Sequence, residues 1–137
     1  MSNSRRAARE LALQLLYELE FNPKSPVAAA EEFHTHFTPG QHVPPFTVEL
    51  VQGVLDHREE IDTLIAAHSE NWKLERMQVI DRNALRLGTY EILYLPQIPA
   101  AVTLDELIDI VRSFGSQESA SFLNAVLDKI RAEKKKT

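Results

Sequence analysis

Apolar residues recur every three or four positions along almost the whole chain, and no stretch alternates apolar with polar in the way a half-buried strand does. The pattern predicts an all-α fold. A first helix is expected from about Ser4 to Phe21, stopped by Asn22-Pro23, and a second from about Ser25 to Phe37, stopped by Pro39-Gly40. Pro44-Pro45 introduces a long helix from about Phe46 to His68. After Asn71-Trp72-Lys73 another is expected from about Leu74 to Leu95, closed by Pro96 and Pro99. Thr103 and Glu106 have the spacing of a capping box, so a further helix should start there and end at Gly115 in a left-handed turn. Ser116 can cap a last helix from about Gln117 to Ala132, and Lys134 to Thr137 reads as a frayed basic tail. There is no repeat, linker or composition break, so residues 1–137 are read as one helical domain.

The helical wheel locates two irregularities. In the first helix Ala8, Ala12, Leu15 and Leu19 form one stripe, flanked by Leu11 and Leu16, at about 100° per residue. Leu13 and Tyr17 fall off that stripe, on the side of Arg6 and Arg9. Either the helix is sandwiched between neighbours or these two side chains form a docking patch. In the helix after Trp72, Glu91 falls within the stripe of Ile80, Ala84 and Leu87. A carboxylate there must be paired or hydrogen-bonded, because burying it unpaired costs several kcal/mol. A structural tie to another helix end or an arginine is the expected form, against the alternative of a hydrolase built round Glu91, which would need it exposed in a cleft beside another titratable group.

Charge changes the picture only locally. Fifteen Lys and Arg against twenty Asp and Glu leave a formal charge of −5, so no general basic field draws in polyanions. Arg5, Arg6 and Arg9 nevertheless cluster in the opening turns, where positive charge opposes the helix macrodipole by about 0.3–1 kcal/mol per exposed charge. Folding gains little from such a cluster, whereas a phosphate would gain guanidinium donors at a helix start.

Other chemistries find no foothold. The chain has no cysteine, which rules out disulfides and thiolate metal sites, and its four isolated glycines make no phosphate-binding or dinucleotide loop. The histidines, among them His34, His36, His57 and His68, are not spaced as a metal site. No nucleophile or metalloprotease motif accompanies Glu91, so neither catalytic residues nor a cofactor are expected. No apolar run approaches the ~20 residues of a membrane helix, and the N-terminus is not that of a secretory signal, which leads to a cytoplasmic expectation.

Three blocks carry a resemblance. RRAARELALQLLYELEF near the start, IDRNALRLGTYEILYL in the middle and VTLDELIDIVRSFGSQESASFLNAVLDKI towards the end occur in the order, and over the length, of the NusB family of bacterial transcription antitermination factors. The resemblance implies about seven helices in two crosswise-packed helical subdomains. It also implies recognition without catalysis. Family members pair with NusE, a small-subunit ribosomal protein, and bind boxA-type single-stranded RNA. The pair helps to assemble an antitermination complex with other Nus factors on RNA polymerase, notably in ribosomal RNA operons.

Carried onto this chain, the resemblance assigns Arg5, Arg6 and Arg9 to RNA contact, together with Gln117, Glu118, Ser119 and Phe122 at the start of the last helix. It assigns Leu13, Tyr17 and Asp81 to the protein partner. Phe122 stands at i, i+4, i+8 spacing with Val126 and Ile130, so core and RNA-facing roles both remain open. The chain departs from the family at Asp105, where Asn is common before Glu106, and at Ala125, where Gly is common; neither change disturbs the helices. Two alternatives accompany this reading. One is a helical protein-interaction module, or a homodimer that covers its own RNA face, without autonomous RNA binding; the other is the RNA methyltransferases that carry this fold as an extension, against which stands the lack of a cofactor-binding region before Thr137.

Overall fold

The computed structural model describes residues 2–36, 43–70, 73–114 and 117–136, and every regular element among them is helical. The elements are α1 (Ser2–Phe21), α2 (Pro26–His36), α3 (Pro45–Asp56), α4 (Arg58–His68), a 3₁₀ turn (Leu74–Arg76), α5 (Val79–Tyr94), α6 (Ala100–Phe114) and α7 (Gln117–Lys136). The all-α expectation holds. Pro39-Gly40, Asn71-Trp72, Gly115 and Ser116, and the side chains of His34 and His36, lie outside the described residues, as do the expectations placed on them.

Two groups of helices, α1–α3 and α4–α7, meet along α5, which packs against α1, α3, α4, α6 and α7. Being surrounded, α5 buries every residue from Asn83 to Ile92. The first helix is likewise enclosed by α2, α3, α5 and α6. This explains its second apolar side: Leu13 is only 3% exposed and belongs to the core with Ala12, Leu15, Leu16 and Leu19. The sandwich account is therefore the right one for Leu13.

Four element boundaries differ from the sequence reading. The expected helix from Phe46 to His68 is two helices joined at His57, whose φ of −115° and ψ of 17° bend the chain. Hydrogen bonding runs on across the bend, from the His57 N–H to the Gly53 carbonyl (3.1 Å) and from the Ile61 N–H to the His57 carbonyl (2.9 Å). Leu50, Val54, Ile61 and Ile65 therefore keep a helical phase and are all buried, which makes the bend invisible to periodicity. Glu59 and Glu60 in the first turn of α4 suit a new helix start.

The second difference is at α5, which begins at Val79 because Met77 and Gln78 are extended. Arg82 holds that entry, donating to the Met77 carbonyl at 3.1 Å and to Glu20 Oε1 at 2.8 Å. Third, α6 begins at Ala100 directly after Pro99, so Thr103 and Glu106 stand inside the helix and form no capping box. Fourth, α7 continues through Lys136. Lys134, expected in a frayed tail, is helical, and its ammonium donates to the Ile92 and Leu93 carbonyls at the end of α5.

Candidate nucleic-acid interface

The three arginines of α1 do not converge. Arg5 and Arg9, one helical turn apart, both lean on the Phe46 ring of α3, with guanidinium carbons 5.5 and 5.8 Å from its centroid. Arg5 remains exposed, whereas Arg9 is 1% exposed. Its Nε and Nη2 donate to Glu91 Oε2 and Oε1, each at 2.8 Å, and Thr103 Oγ1 donates to the same Oε1 at 2.8 Å. Glu91 thus has an arginine partner, and it is itself fully buried. The same burial stands against the assignment of Arg9 to direct RNA contact, because its Nε and Nη2 are turned inward onto Glu91. Arg9 fastens α1 to α5, and Glu91 carries the tie on to α6.

Arg6 points to α6. Its Nε donates to Glu106 Oε2 at 2.6 Å and its Nη2 to Asp109 Oδ2 at 2.9 Å. The hydrogen bonds that it donates to Asp109 and then Glu106 raise its pKa above the ordinary arginine value. Asp109 Oδ1 in turn accepts from Arg112 Nη1 at 3.2 Å, and Arg112 Nε donates to Gln117 Oε1 at 3.1 Å. A chain of polar contacts therefore runs from α1 through α6 to the first residue of α7, joining Arg6 to Gln117.

Arg112 and Asp109 were not singled out in the sequence. The available signal was a cation in the last turn of α6, a few residues before Gln117. Beside this chain of contacts, Asp105, Asp109, Arg112, Gln117, Ser121 and Asn124 line a polar cleft of about 460 Å³ between α6 and α7. Glu118 is exposed next to Gln117, and Phe122 is half-buried and packs on the core.

The residues expected to face a protein partner separate. Leu13 is core and is removed from that surface. Tyr17 is 53% exposed and stacks obliquely on Phe21, itself 61% exposed, with ring centroids 5.1 Å apart. Phe21 thus adds apolar area that the wheel did not mark out. Asp81, in the first turn of α5, accepts from Ser119 Oγ at 3.1 Å. Burial raises the Asp81 pKa above the usual carboxylate value, which the Ser119 bond partly offsets. A residue expected on the partner face and one expected on the RNA face are therefore in direct contact, although they stand 38 residues apart in sequence.

Among the described residues no group of three or more His, Asp or Glu is placed to hold a metal, and no helix is long and apolar enough to cross a membrane.

The NusB family model matches residues 6–132 of this chain. The "Transcription antitermination protein NusB" of Desulfatibacillum aliphaticivorans is 42% identical, covering 96% of this chain and 98% of that protein. The protein of the same description from Myxococcus xanthus (strain DK1622) is 44% identical over 93% of this chain and 94% of its own length. Among solved structures, the fold is similar to that of antitermination factors NusB and NusE in complex with dsRNA, with a TM-score of 0.84, 26% identity and coverage of 97% and 99% of the two chains. T. maritima NusB aligns with a TM-score of 0.81 at 33% identity, covering 94% of this chain and 91% of that one.

Proposed function

The chain belongs to the NusB family, and from that membership we propose that it is a transcription antitermination factor, binding boxA-type RNA jointly with NusE within a complex on RNA polymerase. The site acts by recognition and carries out no covalent chemistry. Because RNA polymerase and nascent RNA are cytoplasmic in bacteria, we place the protein there too.

The observation that supports joint binding is the 3.1 Å contact between Ser119 and Asp81, residues assigned to the RNA face and the partner face in this reading. A partner seated over Tyr17, Phe21 and Asp81 would border RNA lying along Arg5, Arg6 and the start of α7. RNA held there meets few unopposed cations. Arg5 is exposed, but Arg6 is held by two carboxylates and Arg112 by one, so phosphates must compete with Glu106 and Asp109. A basic ribosomal protein supplies the missing phosphate contacts and turns two weak surfaces into one composite surface. Phe122 packs on the core, so base stacking is assigned to other exposed groups.

The test is a titration of labelled boxA RNA by fluorescence anisotropy, with and without NusE, over a range of salt concentrations. NusE is expected to tighten binding and to steepen the salt slope by roughly 0.7 for each phosphate contact added on single-stranded RNA. An unchanged slope would refute a shared phosphate-binding surface. Arg5→Ala/Arg6→Ala should weaken RNA binding while leaving NusE binding intact.

A second variant isolates the carboxylate competition. Glu106→Gln/Asp109→Asn keeps hydrogen-bonding groups beside Arg6 but removes their charge, and should tighten RNA binding several-fold, roughly 3–10-fold at low salt, with the gain shrinking at high salt. Adding Arg6→Ala should abolish most of the gain. A gain that survives in full would place the competition at Arg112, which Asp109 also holds, and not at Arg6.

A further inference from the structure

At the far end of α7 lies a groove that the RNA and NusE faces leave unused. It runs between α4, the end of α5 and the last turns of α7, and encloses about 810 Å³. Its floor is apolar, with Leu64, Leu93 and Ile130 beside the ring of Tyr94. That ring stacks on His57 with centroids 4.1 Å apart, so the bend between α3 and α4 supplies one wall. The rim is acidic, with Asp56, Glu59, Glu60 and Glu133 lining the groove against the single cation Lys134. Glu133 meets His68, Glu60 accepts from the Tyr94 hydroxyl and Asp56 from Gln52, while Lys134 turns its ammonium to the Ile92 and Leu93 carbonyls. Among the described residues no other Lys or Arg lines the groove, so its rim stays net negative.

We propose that this groove is a second docking site, and that its occupant is a basic peptide segment of a protein partner, with Lys or Arg side chains alternating with Leu- or Ile-like anchors. Each part of the groove selects one part of such a segment. The floor takes the apolar anchors, the rim pairs with the cations, and the stacked His57–Tyr94 rings offer a face over which a guanidinium can lie. RNA and acidic peptides are repelled by the same rim. From Gln117 to Glu133, α7 rises about 24 Å at ~1.5 Å per residue, so the groove can be filled while the RNA surface is occupied. The protein would then bridge its RNA complex to a further basic component.

The experiment uses the full chain, alone and bound to NusE and boxA RNA. The probe is a synthetic peptide of about twelve residues alternating Leu with Lys and Arg; the control has the same charge with serine in place of leucine. In a ¹H–¹⁵N titration the leucine peptide should shift the amides of Leu64, Ala67, Leu93 and Glu133, at a Kd at least about tenfold below that of the control. Glu59→Gln/Glu60→Gln/Glu133→Gln should weaken it by a similar factor, and Ala67→Arg, a surface change that fills the groove, should block it. RNA affinity should not change in either variant. The proposal fails if the two peptides bind alike, if the shifts map to other acidic surfaces, or if the groove proves to be covered by a second copy of the chain.

Discussion

Glu91→Ala is expected to destabilise the protein by about 3–5 kcal/mol, because it strands the guanidinium of Arg9 in the core without its carboxylate. For a chain of this size the midpoint of thermal unfolding should fall by of the order of 10 °C. Thr103 loses the acceptor of its buried hydroxyl in the same step, which adds to the loss. Removing both charges is a different matter. Arg9→Met/Glu91→Leu replaces a buried ion pair with apolar groups of similar reach and should recover most of the stability, since such replacements are often neutral.

That double variant also decides what Arg9 does. A buried tie between α1, α5 and α6 predicts that RNA affinity stays close to that of the parent, within about threefold, once the protein is folded. A phosphate contact through Arg9 predicts the loss seen on removing an exposed arginine, without any loss of stability. Calorimetry and RNA titration on the same two variants separate the roles. A folded double variant that no longer bound RNA would overturn the burial argument.

The same residues show how far the chain could be read in advance. Helix type and order were legible because apolar periodicity and proline stops are local signals, and α1, α2 and α6 end within about a residue of their expected limits. The failures are tertiary. Thr103 and Glu106 have capping-box spacing, yet Thr103 serves Glu91 and Glu106 serves Arg6, partners that only folding brings near. Arg5, Arg6 and Arg9 read as one cluster because they are neighbours in sequence. One turn of helix sends them to an exposed place over Phe46, to α6 and to the core respectively, and only what packs there determines which stays exposed. Leu13 was set apart correctly by the wheel, but a wheel cannot tell a docking face from a second buried face. Glu91 was the reverse case: the need for a partner was evident from one helix, and the partner came from another.

Gly53→Ala should also destabilise the protein, by about 1–3 kcal/mol or more, even though alanine favours a helix by about 1 kcal/mol over glycine. A methyl carbon at Gly53 would stand 2.1 Å from Tyr90 Cζ, 2.3 Å from Cε1 and 2.5 Å from the hydroxyl, far inside the ~3.5–4.0 Å of ordinary contact. The close approach of α3 to α5 depends on that missing methyl. Tyr90 has little freedom to retreat, being 8% exposed and stacked on Tyr94 with centroids 5.5 Å apart. Gly88 offers the contrast of a shallower overlap: a methyl there meets Leu127 Cδ1 at 2.7 Å and Leu107 Cδ1 at 3.1 Å, so these buried leucines would have to give less than the Tyr90 ring. Gly88→Ala should therefore cost less. Pairing Gly53→Ala with Tyr90→Leu removes the clashing ring atoms and should cost less than the two single changes added together. Simple addition of the two losses would show that the ring is not what makes Gly53 necessary.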